Sequence, residues 1–179
     1  MKNKMTKKII AFGGSSSRNS INKKLATYTA NQFKNTEVEI LDLNDFEMPL
    51  FSVDKEKDGF PEEAQKFLDK IEEADLLVVS MAEHNGNYSA AFKNILDWAS
   101  RINNKIFQGK KMLLMATSPG ARGGKSVLEI AKDRFPRHDA NLVGTFSLPS
   151  FYENFDEVNG ITSTDFKNEL LEIVSSIDL

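Results

Sequence analysis

Gly13-Gly14-Ser15-Ser16-Ser17-Arg18-Asn19-Ser20-Ile21-Asn22 follows a short apolar run, Ile9-Ile10-Ala11-Phe12. It leads into a helical pattern in which Ile21, Leu25 and Tyr28 are spaced by four and three. The order is strand, tight turn, helix start. The paired glycines let the backbone leave the strand through angles that other residues avoid. Serine hydroxyls and asparagine amides then line the turn. The first N–H groups of the coming helix are unpaired within it and point out of its end. The helix dipole adds partial positive charge there, and Arg18 adds a full one. This chemistry suits a phosphate. It equally suits an ordinary N-cap, since Ser and Asn are common at that position.

The kind of phosphate is narrowed by what the loop lacks. It has no Gly-Lys-Ser/Thr ending, as a nucleotide-triphosphate loop requires. Gly13 and Gly14 lie side by side instead of at the dinucleotide spacing. A hydroxyl-rich loop fits a terminal monophosphate, such as that of FMN in a flavodoxin-like fold.

The chain of 179 residues is long enough for one domain, residues 1–179, with a substantial core. It has no cysteine, which excludes disulfides, thiolate metal sites and cysteine nucleophiles. With histidine only at His84 and His138, a histidine-rich metal site is not expected. A net charge of −3 gives no support to general nucleic-acid or anionic-membrane binding. No apolar run approaches the roughly 18 residues needed to cross a bilayer. Met1 to Lys8 is basic but has no following secretory apolar region. It reads as a short frayed lead-in to a cytoplasmic protein.

Strand and helix patterns alternate along the rest of the chain. Strands are expected at Lys8–Phe12, Val38–Leu43, Leu76–Ser80, Lys111–Thr117 and Asn141–Phe146. Helices are expected at Ser20–Phe33, from Pro61 onward with Ala64, Phe67, Leu68 and Ile71 on one face, at Ser89–Arg101 and at Lys125–Phe135. A last helix carries Phe166, Leu170, Ile173, Val174 and Ile177 on one stripe. Asn44–Gly59 reads as a long connection whose Met48-Pro49-Leu50-Phe51 packs over something, and the stretch up to Thr164 reads as polar loop. Leu76–Ser80 is continuously apolar, as a parallel strand covered on both faces should be. The whole is an α/β, three-layer pattern: a five-stranded parallel sheet of order 2-1-3-4-5 with helices on both faces. In such a sheet the loops after strands one, three and four meet at one rim, where ligands bind.

Three motifs in this order resemble the NAD(P)H-dependent FMN reductases, which have a flavodoxin-like fold. The first loop is similar to that family's Gly-Ser-x-Arg-x-x-Ser-x-Asn-x-x-Leu-Ala signature, matched here at Gly14, Ser15, Ser20, Asn22, Leu25 and Ala26, with Arg18 one place closer to Ser20. The second is Ala82-Glu83-His84-Asn85-Gly86-Asn87 followed by Phe92-Lys93-Asn94 and Asp97-Trp98. The third is Ser118-Pro119-Gly120-Ala121-Arg122-Gly123-Gly124. The resemblance spans roughly residues 7 to 150. Ala82 and His84 stand where the family has Pro and Tyr, and both bear on the choice of substrate.

The resemblance implies FMN as cofactor and NADPH or NADH as co-substrate. It implies that Ser15, Ser17, Arg18, Ser20 and Asn22 cradle the FMN phosphate, with Ile21 also in the cofactor-binding set. Glu83, His84, Asn85 and Gly86 would run along the flavin ring, and Ser118, Gly120, Arg122 and Gly123 would border its other edge. No protein nucleophile is called for, since the flavin carries the chemistry. The implied reaction is ping-pong transfer from reduced nicotinamide to a small-molecule quinone, azo, flavin or similar acceptor. A homodimer or homotetramer is implied too, with nonpolar residues of the Asp97-Trp98 helix or the Met48–Phe51 loop exposed at an interface.

Plainer readings stand beside these. His84 also reads as a surface loop residue, Glu83 as solvated or capping the next helix, and Arg122 as a solvated charge. Trp98, Phe92 and Leu96 read as core or subunit contact, Tyr88 as pocket wall or helix entry, and His138 and the Lys7-Lys8 pair as surface. Two other function classes share the fold: an electron carrier serving a protein partner, and an interaction protein without FMN.

Overall fold

Every strand that the sequence pattern marks forms, and the reason is visible in which side chains go to which face. The computed structural model describes residues 6–179, so Met1–Met5 of the expected lead-in lie outside the described residues. Strand β1 (Lys7–Gly13) sends Ile9 and Ala11 to one core and Ile10 and Phe12 to the other. Helix α1 (Ile21–Ala30) and strand β2 (Thr36–Ile40) follow. Then come a short helix α2 (Val53–Glu56), helix α3 (Glu62–Glu73) and strand β3 (Leu76–Met81), which is buried throughout. Helix α4 (Ala90–Ile102), strand β4 (Lys111–Thr117), helix α5 (Lys125–Arg134) and strand β5 (Asn141–Leu148) complete the alternation. A short helix α6 (Phe151–Asn154), strands β6 (Phe155–Asp156) and β7 (Gly160–Ile161), and helix α7 (Thr164–Ser176) end the chain.

The five long strands form one parallel sheet of order β2-β1-β3-β4-β5. Leu25 and Ala26 of α1 and Leu170 and Val174 of α7 cover one face. Phe67 and Ile71 of α3, Phe92 and Ile95 of α4, and Val127 and Ala131 of α5 cover the other. Both faces are therefore apolar, which is why β3 and β4 read as unbroken hydrophobic runs. This is the flavodoxin-like arrangement that the alternation predicts.

Several boundaries differ from the sequence reading, each for a local reason. Helix α1 stops at Ala30, three residues early, because Asn31 turns back and donates from Nδ2 to the Thr27 carbonyl at 2.8 Å. Strand β2 ends at Ile40 because Asp42 caps a 3-10 turn over Leu43–Phe46, accepting the Asn44 N–H at 2.9 Å. The polar stretch before Thr164 is not loop throughout. It holds α6 and the β6–β7 hairpin, whose turn is tied by the Asp156 carboxylate accepting the N–H groups of Val158 and Asn159. Phe155 meets Tyr28 of α1 edge to face, with ring centroids 5.7 Å apart. Two-residue strands are too short to show a periodicity, so the pattern could not reveal them.

The Met48–Phe51 segment does pack over something, namely α4. Trp98 Nε1 donates to the Pro49 carbonyl at 2.7 Å, and Asn94 Oδ1 accepts the Phe51 N–H at 2.9 Å. The Phe51 ring stands edge-on to Trp98 at 5.1 Å. Trp98 is thus fully buried, in line with its reading as core, and the exposed apolar side chains nearby are Leu50 of the same loop, Val53 and Phe60. His138 is also buried, against the expectation of a surface residue. The 3-10 turn Phe135–His138 tucks it inward, where Nδ1 donates to the Asn104 carbonyl at 2.8 Å. Tyr88 enters the core beside Phe92 and Phe135.

At the amino ends of the strands a charged lattice closes the sheet. Lys8 bridges Glu39 and Glu73, Lys70 bridges Glu39, and Asp75 takes Lys7 Nζ and the Lys8 N–H, each at 2.9 Å. The Lys7-Lys8 pair therefore serves the fold instead of standing free. The Lys8 N–H bond, and then Lys7, hold the Asp75 carboxyl below its ordinary range. A lowered carboxyl stabilises the fold above its unfolded pKa near 4, and this stabilisation fades as pH falls through the folded value. Asp75→Asn is expected to lower stability by about 1 kcal/mol at pH 7, because solvent weakens the ion-pair share. The deficit should close as the pH falls through the folded-state value of Asp75, where both proteins come to carry an uncharged side chain. Urea unfolding at pH 7 and through the acid range checks this.

Candidate functional site

A cleft of about 210 Å³ opens beyond the carboxyl ends of β1, β3 and β4. Its floor begins at Gly13. A Cβ there would run into the backbone of Asn22 and Lys23, so only glycine lets α1 start directly against the strand end. The loop above it is tied down by its own backbone. Gly14 N–H bonds Ser80 O at 2.8 Å, and Ser89 Oγ donates to Gly14 O at 2.7 Å. Ser89 also caps α4, so one residue joins the start of that helix to the loop.

Two hydroxyls in the loop are already acceptors. Ser15 Oγ accepts the Ser17 N–H at 3.1 Å, and Ser20 Oγ accepts the Lys23 N–H at 3.2 Å as the cap of α1. Each hydroxyl proton is then free to be donated elsewhere. The N–H groups of Ile21 and Asn22, at the first helical positions, have no carbonyl one turn back within α1. Lys23 is spoken for by Asp42 at 2.6 Å, and Lys23 and the Asn44 N–H hold that carboxyl low. Among the described residues Arg18 has no ion-pair partner.

The structure brings Ser15, Ser17, Ser20, Ile21, Asn22, Glu83, His84 and Ser118 together around the cleft. Asn19, Ala82, Thr117, Pro119 and Tyr152 line it as well and were not foreseen. Arg18 instead lines a neighbouring groove of about 460 Å³ between α1 and the β6–β7 hairpin, which shares Ser20 with the cleft. Asn85 and Gly86 form the tip of a tight turn closed by two bonds between the His84 and Asn87 backbones, at 2.9 and 3.1 Å. Both have positive φ, 51° and 77°, the primed turn that Asn-Gly favours. Gly120, Arg122 and Gly123 also lie off the cleft. Arg122 is exposed and donates along α5 to Ser126 Oγ at 2.9 Å. Gly123 packs so closely that a Cβ would sit 2.5 Å from Ser147 Oγ.

Two residues have firm structural duties. Glu83 is a cap, though not of the helix that follows it in sequence. Its carboxylate accepts the Val127 N–H at 3.1 Å, in the first turn of α5. Asn22 is buried, and its amide makes three hydrogen bonds. Oδ1 accepts Ser80 Oγ–H at 2.7 Å and the Thr117 N–H at 3.0 Å, and Nδ2 donates to Thr117 O at 3.2 Å. Its side chain therefore holds β3 and β4 to α1, which leaves one Nδ2 hydrogen and the backbone N–H for a ligand.

The profile of the NADPH-dependent FMN reductases matches residues 7–153. The chain belongs to this family. The family is one of oxidoreductase enzymes that use FMN, with NAD(P)H as electron donor. A 2-hydroxy-1,4-benzoquinone reductase from a Burkholderia species is 36% identical over 121 residues, which are 66% of this chain and 64% of that protein. The MG342 homolog of Mycoplasma pneumoniae is 30% identical over 145 residues, 78% of this chain and 86% of that one. Among solved structures, the flavoenzyme NAD(P)H:(acceptor) oxidoreductase FerB from Paracoccus denitrificans superposes with a TM-score of 0.75 at 24% identity, covering 96% of this chain and 94% of its own. That likeness bears on the fold.

The residues at the cleft suit the family cofactor. Hydroxyl protons of Ser15 and Ser20 and the open N–H groups of α1 are donors for a phosphate, and the carboxylate in the lining, Glu83, is engaged by the Val127 N–H. Among the described residues no cluster of His, Asp or Glu suits a metal ion, and no helix is long and apolar enough to cross a membrane.

The two kinds of residue separate by mutation. Asn22→Ala leaves the Ser80 hydroxyl and the Thr117 peptide unpaired in the interior. It is expected to cost about 2–4 kcal/mol in urea unfolding. Ser17→Ala, at an exposed position, should stay within about 0.5 kcal/mol of the parent. An Asn22→Ala protein as stable as its parent would refute the clamp.

Proposed function

We propose that the protein is an FMN-dependent NAD(P)H oxidoreductase that reduces a small-molecule acceptor of the quinone, azo or flavin kind by a ping-pong cycle. The observation that carries this reading is a single cleft that gathers the donors of the Ser15–Asn22 turn with the His84 and Ser118 loops. Support also comes from the family and from the quinone reductase among the relatives.

Ser15, Ser17, Ser20 and the backbone of Ile21 and Asn22 hold the phosphate. Arg18, one residue outside the cleft and without an ionic partner among the described residues, reaches the phosphate from the neighbouring groove. Glu83, His84, Asn85 and Gly86 on one side, and Ser118, Gly120, Arg122 and Gly123 on the other, form the walls for the ring. When bound, FMN supplies the two-electron chemistry, accepting hydride from NADPH or NADH and handing it to the acceptor. In balance, NAD(P)H becomes NAD(P)+, and a quinone takes up that hydride plus one proton from water to become the hydroquinone. The chain provides position and screening from solvent, and no side chain takes or gives a proton. We read the protein as cytoplasmic and as a homodimer or homotetramer, with the exposed Leu50, Val53 and Phe60 supporting a self-contact.

Two measurements test the reading. Anaerobic absorption spectra should show bound flavin that bleaches with NADPH or NADH, and initial rates at several fixed acceptor concentrations should give parallel double-reciprocal lines. Bound flavin that neither nucleotide bleaches would point to an electron carrier instead, and intersecting lines would rule out ping-pong. The phosphate assignment makes a second claim. Arg18→Ala should weaken FMN roughly tenfold and leave riboflavin binding unchanged, because a charge-assisted contact is worth about 1.5 kcal/mol. Equal losses for both flavins in a titration would overturn it.

A further inference from the structure

Tyr152 is an unusual residue for its place. Its side chain is 73% exposed, yet it sits in one of the most tightly determined parts of the rim and lines the cleft. Its neighbours explain how it is held. Ser150 N–H bonds the Gly120 carbonyl and Phe151 N–H bonds the Ser118 carbonyl, each at 3.0 Å. The segment after β5 is thus fastened to the loop after β4. Ser150 lies at φ 45°, a left-handed conformation unfavourable for a residue that is neither Gly nor Asn. That turn drives Phe151 into the core, where it stacks on Phe155 with centroids 4.6 Å apart. Asn154 Nδ2 then closes the short helix onto the Pro149 carbonyl at 2.9 Å. With Phe151 inward, the next side chain of α6 faces out over the cleft.

A tyrosine is a costly group to leave in water. Its ring is a large apolar surface, and here it meets Phe151 edge to face at 5.6 Å yet stays 73% exposed. His84 and Thr117–Pro119 line the same cleft. A planar molecule entering this space meets the Tyr152 ring on a backbone that is already tied, so only the two side-chain torsions have to be ordered.

Resting on the reading of the cleft as a flavin and acceptor site, we propose that Tyr152 is the stacking face for the planar π-system bound there. The class of ligand it selects is a flat aromatic or quinonoid ring, in preference to acceptors without one. The ring in contact is either that of the flavin or that of the acceptor, and the same variants tell the two apart.

The test compares the wild type with Tyr152→Ala, Tyr152→Phe and Tyr152→Trp. All four should melt alike, because the side chain is exposed. FMN is titrated by its fluorescence, and KM is measured for a planar quinone and for ferricyanide, which has no ring to stack. If the ring touches flavin, Tyr152→Ala weakens FMN roughly three- to tenfold and brightens the bound flavin, whose quenching by tyrosine is lost. If it touches the acceptor, FMN affinity and brightness hold while KM for the quinone rises by a similar factor and KM for ferricyanide does not. Phe and Trp should restore the wild-type affinity and KM values in either case, whereas the bound flavin dims again with Trp but not with Phe, whose ring is too hard to oxidise to quench it. Tyr152→Ala equal to wild type in FMN affinity, brightness and both KM values would overturn the proposal alone. So would a Phe variant as impaired as Ala, which would transfer the role to the hydroxyl. A wild type that takes up no FMN would overturn the functional reading and this proposal together.

Discussion

The amide of Asn22 is the contact on which the rim depends. It lies where the first turn of α1 passes over the ends of β3 and β4, and it uses both its oxygen and its nitrogen there. In a buried place each such bond matters mainly because of what its loss leaves behind, an unpaired hydroxyl or peptide out of reach of water. Asn is the one side chain of this size that can accept twice and donate once in that geometry. With the start of α1 held to the sheet, the open N–H groups of Ile21 and Asn22 point into the cleft instead of wandering. The same logic extends outward. Ser89 joins α4 to Gly14, Glu83 joins the third loop to α5, and Ser150 and Phe151 join the fifth strand to the fourth loop.

This network separates two roles that a motif runs together. In the Ser-x-Asn pattern both residues look like ligand donors. In space, Ser20 caps its helix and keeps a proton to give, while the Asn22 amide spends both acceptor sites and one of its two N–H groups inside the fold. The Lys93-Asn94 and Asp97-Trp98 pairs divide similarly. Asn94 and Trp98 pin the Met48–Phe51 strap, whereas Lys93 and Asp97 form an exposed pair at 2.6 Å one helical turn apart. Surface pairs of that sort contribute little. A motif thus mixes residues that meet a ligand with residues that shape the chain around it, and only the hydrogen-bond partners tell them apart.

How much the sequence disclosed follows from range. The inner strands β1, β3 and β4 were readable because burial on both faces makes their apolar runs continuous, and the order of the sheet followed from strand–helix alternation. The first loop was readable because Gly13, the serines and the start of α1 are adjacent in sequence. Tyr152 was not, because its place depends on Ser118 and Gly120, some thirty positions away, and on a helix too short to show a period. Glu83 gave no hint of its bond to Val127 for the same reason. His138 looked like surface because a histidine beside an aspartate is polar in composition. The turn that buries it is set by Phe135, fully buried three residues before.

The placement of backbone strain sharpens the argument about the rim. Among the described residues, positive φ outside glycine falls at Asn35, Asn85, Gln108, Asp139 and Ser150. Asn and Asp tolerate that region because their short side chains bond locally. Gln108 and Ser150 do not have that excuse. Gln108 recovers the cost where it stands, since its Nε2 donates to the Leu68 carbonyl at 3.0 Å just before β4 begins. Ser150 makes no such side-chain bond as the cap of α6. What its strain achieves is directional. It lets one residue plug the core and the next lean over the cleft within a single turn. Strain kept without local repayment is characteristic of positions where geometry serves a ligand. Here the side chain so positioned is an aromatic ring, which is the group a flat, redox-active molecule would meet best.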